Sequence, residues 1–235
     1  MNKRILLSWS GGKDAAIALC ELQRSDSYEV AALLTTLAEE EDRVPMHSVR
    51  RTLVEAQAAA LGTTLHTIYL TASGSDDHYA ETMRQALLSH ARNGVAGVAF
   101  GDIFLGDVRR DREEKLSTIG MAAVFPLWGR STSRLARWFT QSGFKAIVTC
   151  VDAQVLPGSV VGSPFDERFL RELPAGVDPC GENGEFHTFV YDGPIFHRPI
   201  PFSKGEVLCR DNRFYYCDLL PPHAPLPDHD FLGLP

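Results

Sequence analysis

The chain has 235 residues, of which 44% are hydrophobic, with a formal net charge of −7 and a sequence pI of about 5.6. That length and apolar share suit one large α/β domain, or a larger domain with a smaller one attached, and the acidic balance argues against broad electrostatic attachment to nucleic acid. Five widely spaced cysteines without a CxxC (Cys20, Cys150, Cys180, Cys209 and Cys217) read as reduced thiols of a cytoplasmic protein, and no apolar run reaches the length of a signal peptide or a membrane span.

In chain order, the first part repeats one rhythm of apolar run, polar turn and amphipathic helix. Periodicity predicts strands over 4–9, 29–36, 64–70, 95–101, 122–127 and 144–151, and helices over 14–24, 48–61, 76–92, 109–119 and 131–142. The runs Val95 to Phe100 and Ala146 to Thr149 are almost wholly apolar, as in strands buried on both faces. The expected fold class is α/β, a Rossmann-like parallel sheet over 1–152 with helices on both sides. Beyond it Pro and Gly become frequent. A short helix over 166–173 and strands over 185–192, 205–210 and 213–218, the last two a hairpin around Asp211-Asn212, predict a smaller α+β lobe over 153–220. A Pro-rich tail follows over 221–235.

Ligands of such sheets bind beyond the carboxyl ends of the strands. The first strand ends in Ser8-Trp9-Ser10-Gly11-Gly12-Lys13-Asp14, then a helix begins. Free N–H groups at a helix start, adjacent glycines, the Ser10 hydroxyl and the Lys13 charge suit phosphate. Asp14 would hold the loop or face a metal ion. The glycine spacing is neither that of a Walker loop nor of a dinucleotide fingerprint. Thr35, Gly101-Asp102, Cys150 and Asp152 follow other strands and are expected on the same edge. Arg109, Arg110 and Arg112 cluster, as do Arg130, Arg134 and Arg137, and leave local basic patches open. The run Asp107 to Glu114 opens a helix only a few residues past Asp102 and is a lesser candidate for reaching the site, its plain alternative being a solvated helix face with pairs such as Asp111 with Lys115. Cys209, Cys217, His223 and His229 match no zinc spacing.

A second stretch, Asp178 to Phe189, sets Glu182, Glu185, His187 and Thr188 on a Gly-rich loop entering a strand. Alternation puts Glu185, His187 and Phe189 on one face, where Glu185 and His187 could orient an amine or move a proton.

The string SGGKD resembles the pyrophosphate loop of the N-type ATP pyrophosphatases, with Ala15 where a serine is usual. Together with Phe100-Gly101-Asp102-Ile103, Pro126-Leu127-Trp128, GENGEFHTFVYDGPIF from Gly181 to Phe196, and Val44-Pro45-Met46-His47 before a helix with Gln57-Ala58, it resembles the diphthine–ammonia ligase family, in its bacterial-type branch. That resemblance implies an adenine nucleotide alpha hydrolase-like (HUP-type) domain with a C-terminal substrate lobe. It also implies an ATP-dependent amidation, in which a carboxylate is adenylated with release of pyrophosphate and ammonia displaces AMP. It implies ATP and Mg²⁺ as cofactors, and a small-molecule or protein carboxylate plus ammonium as partners. Ser8, Ser10, Gly11, Gly12, Lys13, Asp14, Thr35 and Gly101 would bind ATP. Asp14 and Asp102 would meet the metal, and Asp102, Glu182, Glu185 and His187 would carry the chemistry. His187 departs from the family form, which puts diphthine itself in question as acceptor. Two rival readings are a tRNA sulfur transferase using Cys150 and a non-catalytic adenine-nucleotide sensor. An exposed edge in the smaller lobe is a candidate homodimer surface.

Overall fold

The computed structural model describes residues 2–70 and 76–222. β1 (Lys3–Ser8) runs through the glycine loop into α1 (Lys13–Gln23). The alternation continues with β2 (Tyr28–Ala38), α2 (Arg51–Leu61), β3 (Leu65–Leu70), α3 (Asp76–Arg92), β4 (Gly97–Ala99), α4 (Gly106–Ser117), β5 (Ala122–Val124) and α5 (Thr132–Gln141). The five strands pair in parallel in the order β3-β2-β1-β4-β5. β1 is central because both its faces are apolar. Ile5 and Leu7 join one core with residues of α1, α2 and α5, while Leu6 joins Leu34, Ile68, Leu87, Val98 and Leu116 in another. Helices therefore cover both faces, and the strand order reverses between β1 and β4, where an open α/β sheet leaves a crevice.

A second sheet is antiparallel, in the order β7-β6-β9-β8. Its strands are β6 (Lys145–Asp152), β7 (Phe186–Asp192), β8 (Ser203–Arg210) and β9 (Phe214–Leu220), and α6 (Glu167–Glu172) precedes β7. Asp166 caps α6 by accepting from the Phe169 N–H at 2.9 Å. The three residues between β8 and β9 open on φ of 54° at Asp211 and 50° at Asn212, a tight turn closed by the Arg213 N–H on the Arg210 carbonyl at 3.0 Å. This sheet corrects the sequence expectation for the sixth strand. β6 pairs antiparallel with β7 and β9 and does not extend the parallel sheet. Seven of its eight residues are buried, so it reads like a parallel strand although its partners differ. Cys150 and Asp152 accordingly leave the ligand edge, and Asp152 pairs with Arg213 at 2.6 Å. The expected tail falls largely outside the described residues, as do His223 and His229.

α1 joins the two sheets. Seven of its apolar residues, Ala15 to Cys20 and Leu22, are buried with no polar face between them. A helix apolar all round must be covered all round, and here β1, β2, β7 and α5 all pack against it. The same core cluster accordingly runs from Ile5 and Leu33 through α1 to Val148, Phe186 and Phe189.

Candidate nucleotide and acceptor site

A cleft of about 270 Å³ opens where β1 and β4 end and the loop before β7 folds over them. Ser8, Ser10, Lys13, Asp14, Gly101, Asp102, Glu182 and His187 all line it, as the sequence anticipates. Arg112, His47, Cys180, Phe186 and Thr188 also line it, with Ala15, Gly181 and Gly184 between them.

The glycine loop is held from three sides. Gly11 has φ +79°, and a Cβ there would stand 2.7 Å from Gln57 Oε1, so the loop needs glycine for both conformation and space. Buried Gln57 accepts from Trp9 Nε1 at 2.9 Å and donates to the carbonyls of Gly11 at 3.0 Å and Val190 at 2.6 Å. Gly12 begins α1 without a side-chain cap. Thr188 Oγ1 accepts from the Lys13 N–H at 3.1 Å, so that donor is used and an anion in the cleft would meet the N–H groups that follow it. Gly101 lies against the Asp14–Ala15 backbone, where a Cβ would come within 2.9 Å of the Asp14 carbonyl carbon.

Lys13 is only 2% exposed. Its ammonium meets Asp14 Oδ2 at 2.9 Å, donates to the Cys180 carbonyl, and lies 5.2 Å from the Phe186 ring centre. Burial alone would lower its pKa, but the charge and hydrogen bond of Asp14 outweigh it and the lysine stays protonated. Burial raises the pKa of Asp14, Asp102 and Glu182, although Lys13 opposes this at Asp14 and Arg112 at Asp102. Asp14 Oδ1 is buried without a partner. Asp102 pairs with Arg112 at 2.9 Å, and the guanidinium sits 4.2 Å from the Phe100 ring centre. Glu182 Oε1 accepts from the N–H groups of Ile103 at 2.7 Å and Phe104 at 3.2 Å, which clamps the C-terminal loop to the end of β4.

Two imidazoles line the cleft with ring centres 4.5 Å apart. His47 donates from Nδ1 to the Thr188 carbonyl at 3.1 Å. Burial lowers its pKa to about 4, and lowers that of His187 well below the ordinary value. Both are neutral at pH 7, and His187 Nε2 is buried without a partner. The segment carrying His47 is tied to β9, because Asp218 accepts from Arg43 at 2.7 Å and from Arg50 at 2.6 Å.

Two expected site residues lie behind the wall. Glu185 turns into its own loop, accepting from Asp178 N at 3.0 Å, Asn183 N at 2.9 Å and Asn183 Nδ2 at 2.9 Å. Thr35 is buried inside β2, its hydroxyl unpartnered. Gly11 and Gly12 shape the backbone of the loop. Sequence reasoning passed over Gln57 as a brace, and reached Arg112 only as part of the Asp107–Glu114 run, a lesser candidate for the site. The apolar helix face around Gln57 and the position of Arg112 just past Asp102 were the only signals. Cys150 is buried in β6 with its thiol pushed up to about 12 by burial. Cys180 reaches the cleft, but its Sγ donates to the Thr132 carbonyl at 3.4 Å.

Comparison with known proteins agrees with this architecture. Residues 2–122 match the diphthamide synthase N-terminal domain and residues 131–217 the diphthamide synthase C-terminal domain. A zebrafish (Danio rerio) diphthine–ammonia ligase is 29% identical over 229 residues, covering 87% of this chain and 89% of that protein. The mouse (Mus musculus) protein of that name is 27% identical over 229 residues, covering 87% and 85%. The bovine (Bos taurus) one is 35% identical over 120 residues, an alignment covering 48% of this chain and 45% of that protein. With both domains matched in order, and the glycine loop and the loop before β7 meeting in one cleft, the chain belongs to the diphthamide synthase family and has the architecture of an ATP-dependent ammonia ligase.

Proposed function

We propose that the cleft adenylates a carboxylate with ATP and passes the acyl group to ammonia, releasing pyrophosphate and AMP. The carrying observation is the convergence of the uncapped start of α1, buried Lys13 and three partly buried carboxylates on one cavity. The phosphates lie against the glycine loop and Lys13. Leaving pyrophosphate gains charge there, and fixed N–H donors and an ammonium stabilise it.

The balance of charge bears on the metal. Asp14, Asp102 and Glu182 face only Lys13 and Arg112, so a polyphosphate would enter against an excess of carboxylate. Among the described residues no three His, Cys, Asp or Glu side chains form a metal cage. Mg²⁺ needs none, since it takes one or two carboxylates and fills its shell with phosphate oxygens and water. Asp14, through its unpartnered Oδ1, and Asp102 are the residues that would hold it. When bound, it supplies charge that offsets the phosphates and the developing negative charge on pyrophosphate.

Glu182 and His187 complete the chemistry. Oε1 of Glu182 is fixed by two N–H groups, and its other oxygen makes no hydrogen bond among the described residues. It attracts ammonium and takes its proton before attack. His187, neutral with a free Nε2, is placed to bind the acceptor or receive a proton. Glu185 positions this loop through its three loop contacts. The acceptor is a carboxylate, on a metabolite or a protein side chain, with His187 setting its difference from diphthine. The expected boundary after residue 152 would leave β6 on the wrong side, so the division we propose is a nucleotide lobe over 1–144 and an acceptor lobe over 145–220 that keeps β6 with its partners β7 and β9. All five cysteines are free, in keeping with a cytoplasmic site of action. No helix among the described residues is long and apolar enough to cross a membrane. The exposed edge of β8, with Val207 and Leu208 outward, is where a second copy would pair.

The test is pyrophosphate release from Mg·ATP with ammonium against a pool of carboxylates, beside Asp102→Asn and Glu182→Gln. A first turnover of pyrophosphate needs only the acceptor, since adenylation precedes ammonia attack; continued turnover that needs both acceptor and ammonium, yields amide and falls at least about tenfold in each variant supports the assignment. Continued turnover without ammonium, or with no amide formed, overturns it.

A further inference from the structure

Outside the ATP cleft, two hollows of about 470 Å³ and 440 Å³ share Glu21 as a common wall. The first is lined by Arg109, Phe125 and Trp128, with the Arg109 guanidinium 5.1 Å from the Phe125 ring centre and 4.6 Å from that of Trp128. The second is lined by Arg24, Arg130, Arg134 and Trp138, with Arg24 5.6 Å from the Trp138 ring centre. Three guanidinium groups here face one carboxylate, in a chain whose net charge is −7. Glu21 pairs with Arg130 at 2.9 Å and Arg24 at 3.8 Å, and Arg134 has no ion pair among the described residues. These pairs are half-exposed and weak, so an incoming anion can exchange for Glu21 at little cost.

We infer that this double hollow binds a short segment of single-stranded nucleic acid. Arg130 and Arg134 take phosphates, the rings of Trp128 and Trp138 with the Arg109 and Arg24 guanidinium planes over them take bases, and Glu21 between them accepts from a base amino group. Aromatic rings interleaved with arginines are what sequence-tolerant single-strand binding uses. An acidic peptide could pair its carboxylates with the arginines but would leave both tryptophans unused. The inference goes beyond the ligase reading and needs no acceptor to test.

The test is fluorescence anisotropy with fluorescein-labelled oligo-U and oligo-A RNA of about 12 nucleotides, a length within the usual single-strand site sizes. Wild type is compared with Arg130→Gln/Arg134→Gln, and ATP binding by calorimetry checks that the variant is folded. Expected is saturable binding at low salt that weakens at least about tenfold in the variant. Two lost phosphate contacts should also make the salt slope shallower by about 1 to 1.5 units. ATP affinity stays unchanged. No binding by wild type at low salt, equal binding by the variant, or complete competition by poly-glutamate would each overturn the inference.

Discussion

At the residue scale, His47 shows how burial sets protonation. Its folded pKa of about 4 lies below the ordinary 6.5, with burial the largest cause and the Lys13 charge a further one. A base whose folded pKa is depressed leaves the unfolded chain binding more protons between those values. Stability from the neutral ring is thus complete above pH 6.5 and lost as pH falls towards 4, by about 2 kcal/mol at pH 5. In His47→Asn, which keeps a donor for the Thr188 carbonyl, urea unfolding at pH 7 and pH 5 should differ by correspondingly less than in wild type. An unchanged pH dependence would mean that the ring is protonated in the folded state. Asp218 is the opposite case. Burial pushes it up, but its bonds to Arg50 and Arg43 prevail and bring it down to about 2, so its support fades only below the range where His47 acts.

At the element scale, most of the fold and part of the site were legible in the sequence. Strand and helix periodicity located the elements, and the rule that ligands meet the carboxyl ends of parallel strands joined the glycine loop to Gly101-Asp102 before any coordinates. Two features were not legible. β6 is buried on both faces, and an apolar run does not say which partners cover it. Alternation along β7 grouped Glu185 with His187, but Glu185 precedes the strand and its carboxylate closes a turn. Gln57 is the brace that periodicity cannot reveal, because one buried amide serves α2, the glycine loop and β7 together. Gln57→Leu would leave Trp9 Nε1 and the Val190 carbonyl buried without it. A loss of about 2–5 kcal/mol in urea unfolding is expected. A loss below 1 kcal/mol would show that water or a shifted neighbour replaces the amide.

At the scale of the whole molecule, α1 makes two sheets into one structure. A core continuous from Leu33 through Ile17 to Phe189 joins the two sheets, although the Leu6 cluster on the far face belongs to the parallel sheet alone. Unfolding should therefore be a single transition, coincident by far-UV circular dichroism and tryptophan fluorescence. Two separated transitions would show that the sheets fold independently and that the cleft between them is adjustable. The shared helix also explains why the site lies where it does. Lys13 begins the element that both sheets grip, so its ammonium and first N–H are fixed by Asp14 and Thr188, one from each half.

The measurement that tests the central claim most directly is calorimetric titration of Mg·ATP into wild type and Lys13→Gln. Wild type should bind one ATP per chain, and Lys13→Gln should bind about 10- to 100-fold more weakly, the worth of a charge-assisted contact to phosphate. Failure of the folded wild type to bind ATP, or equal affinity in the variant, would contradict the assignment of this cleft as the nucleotide site.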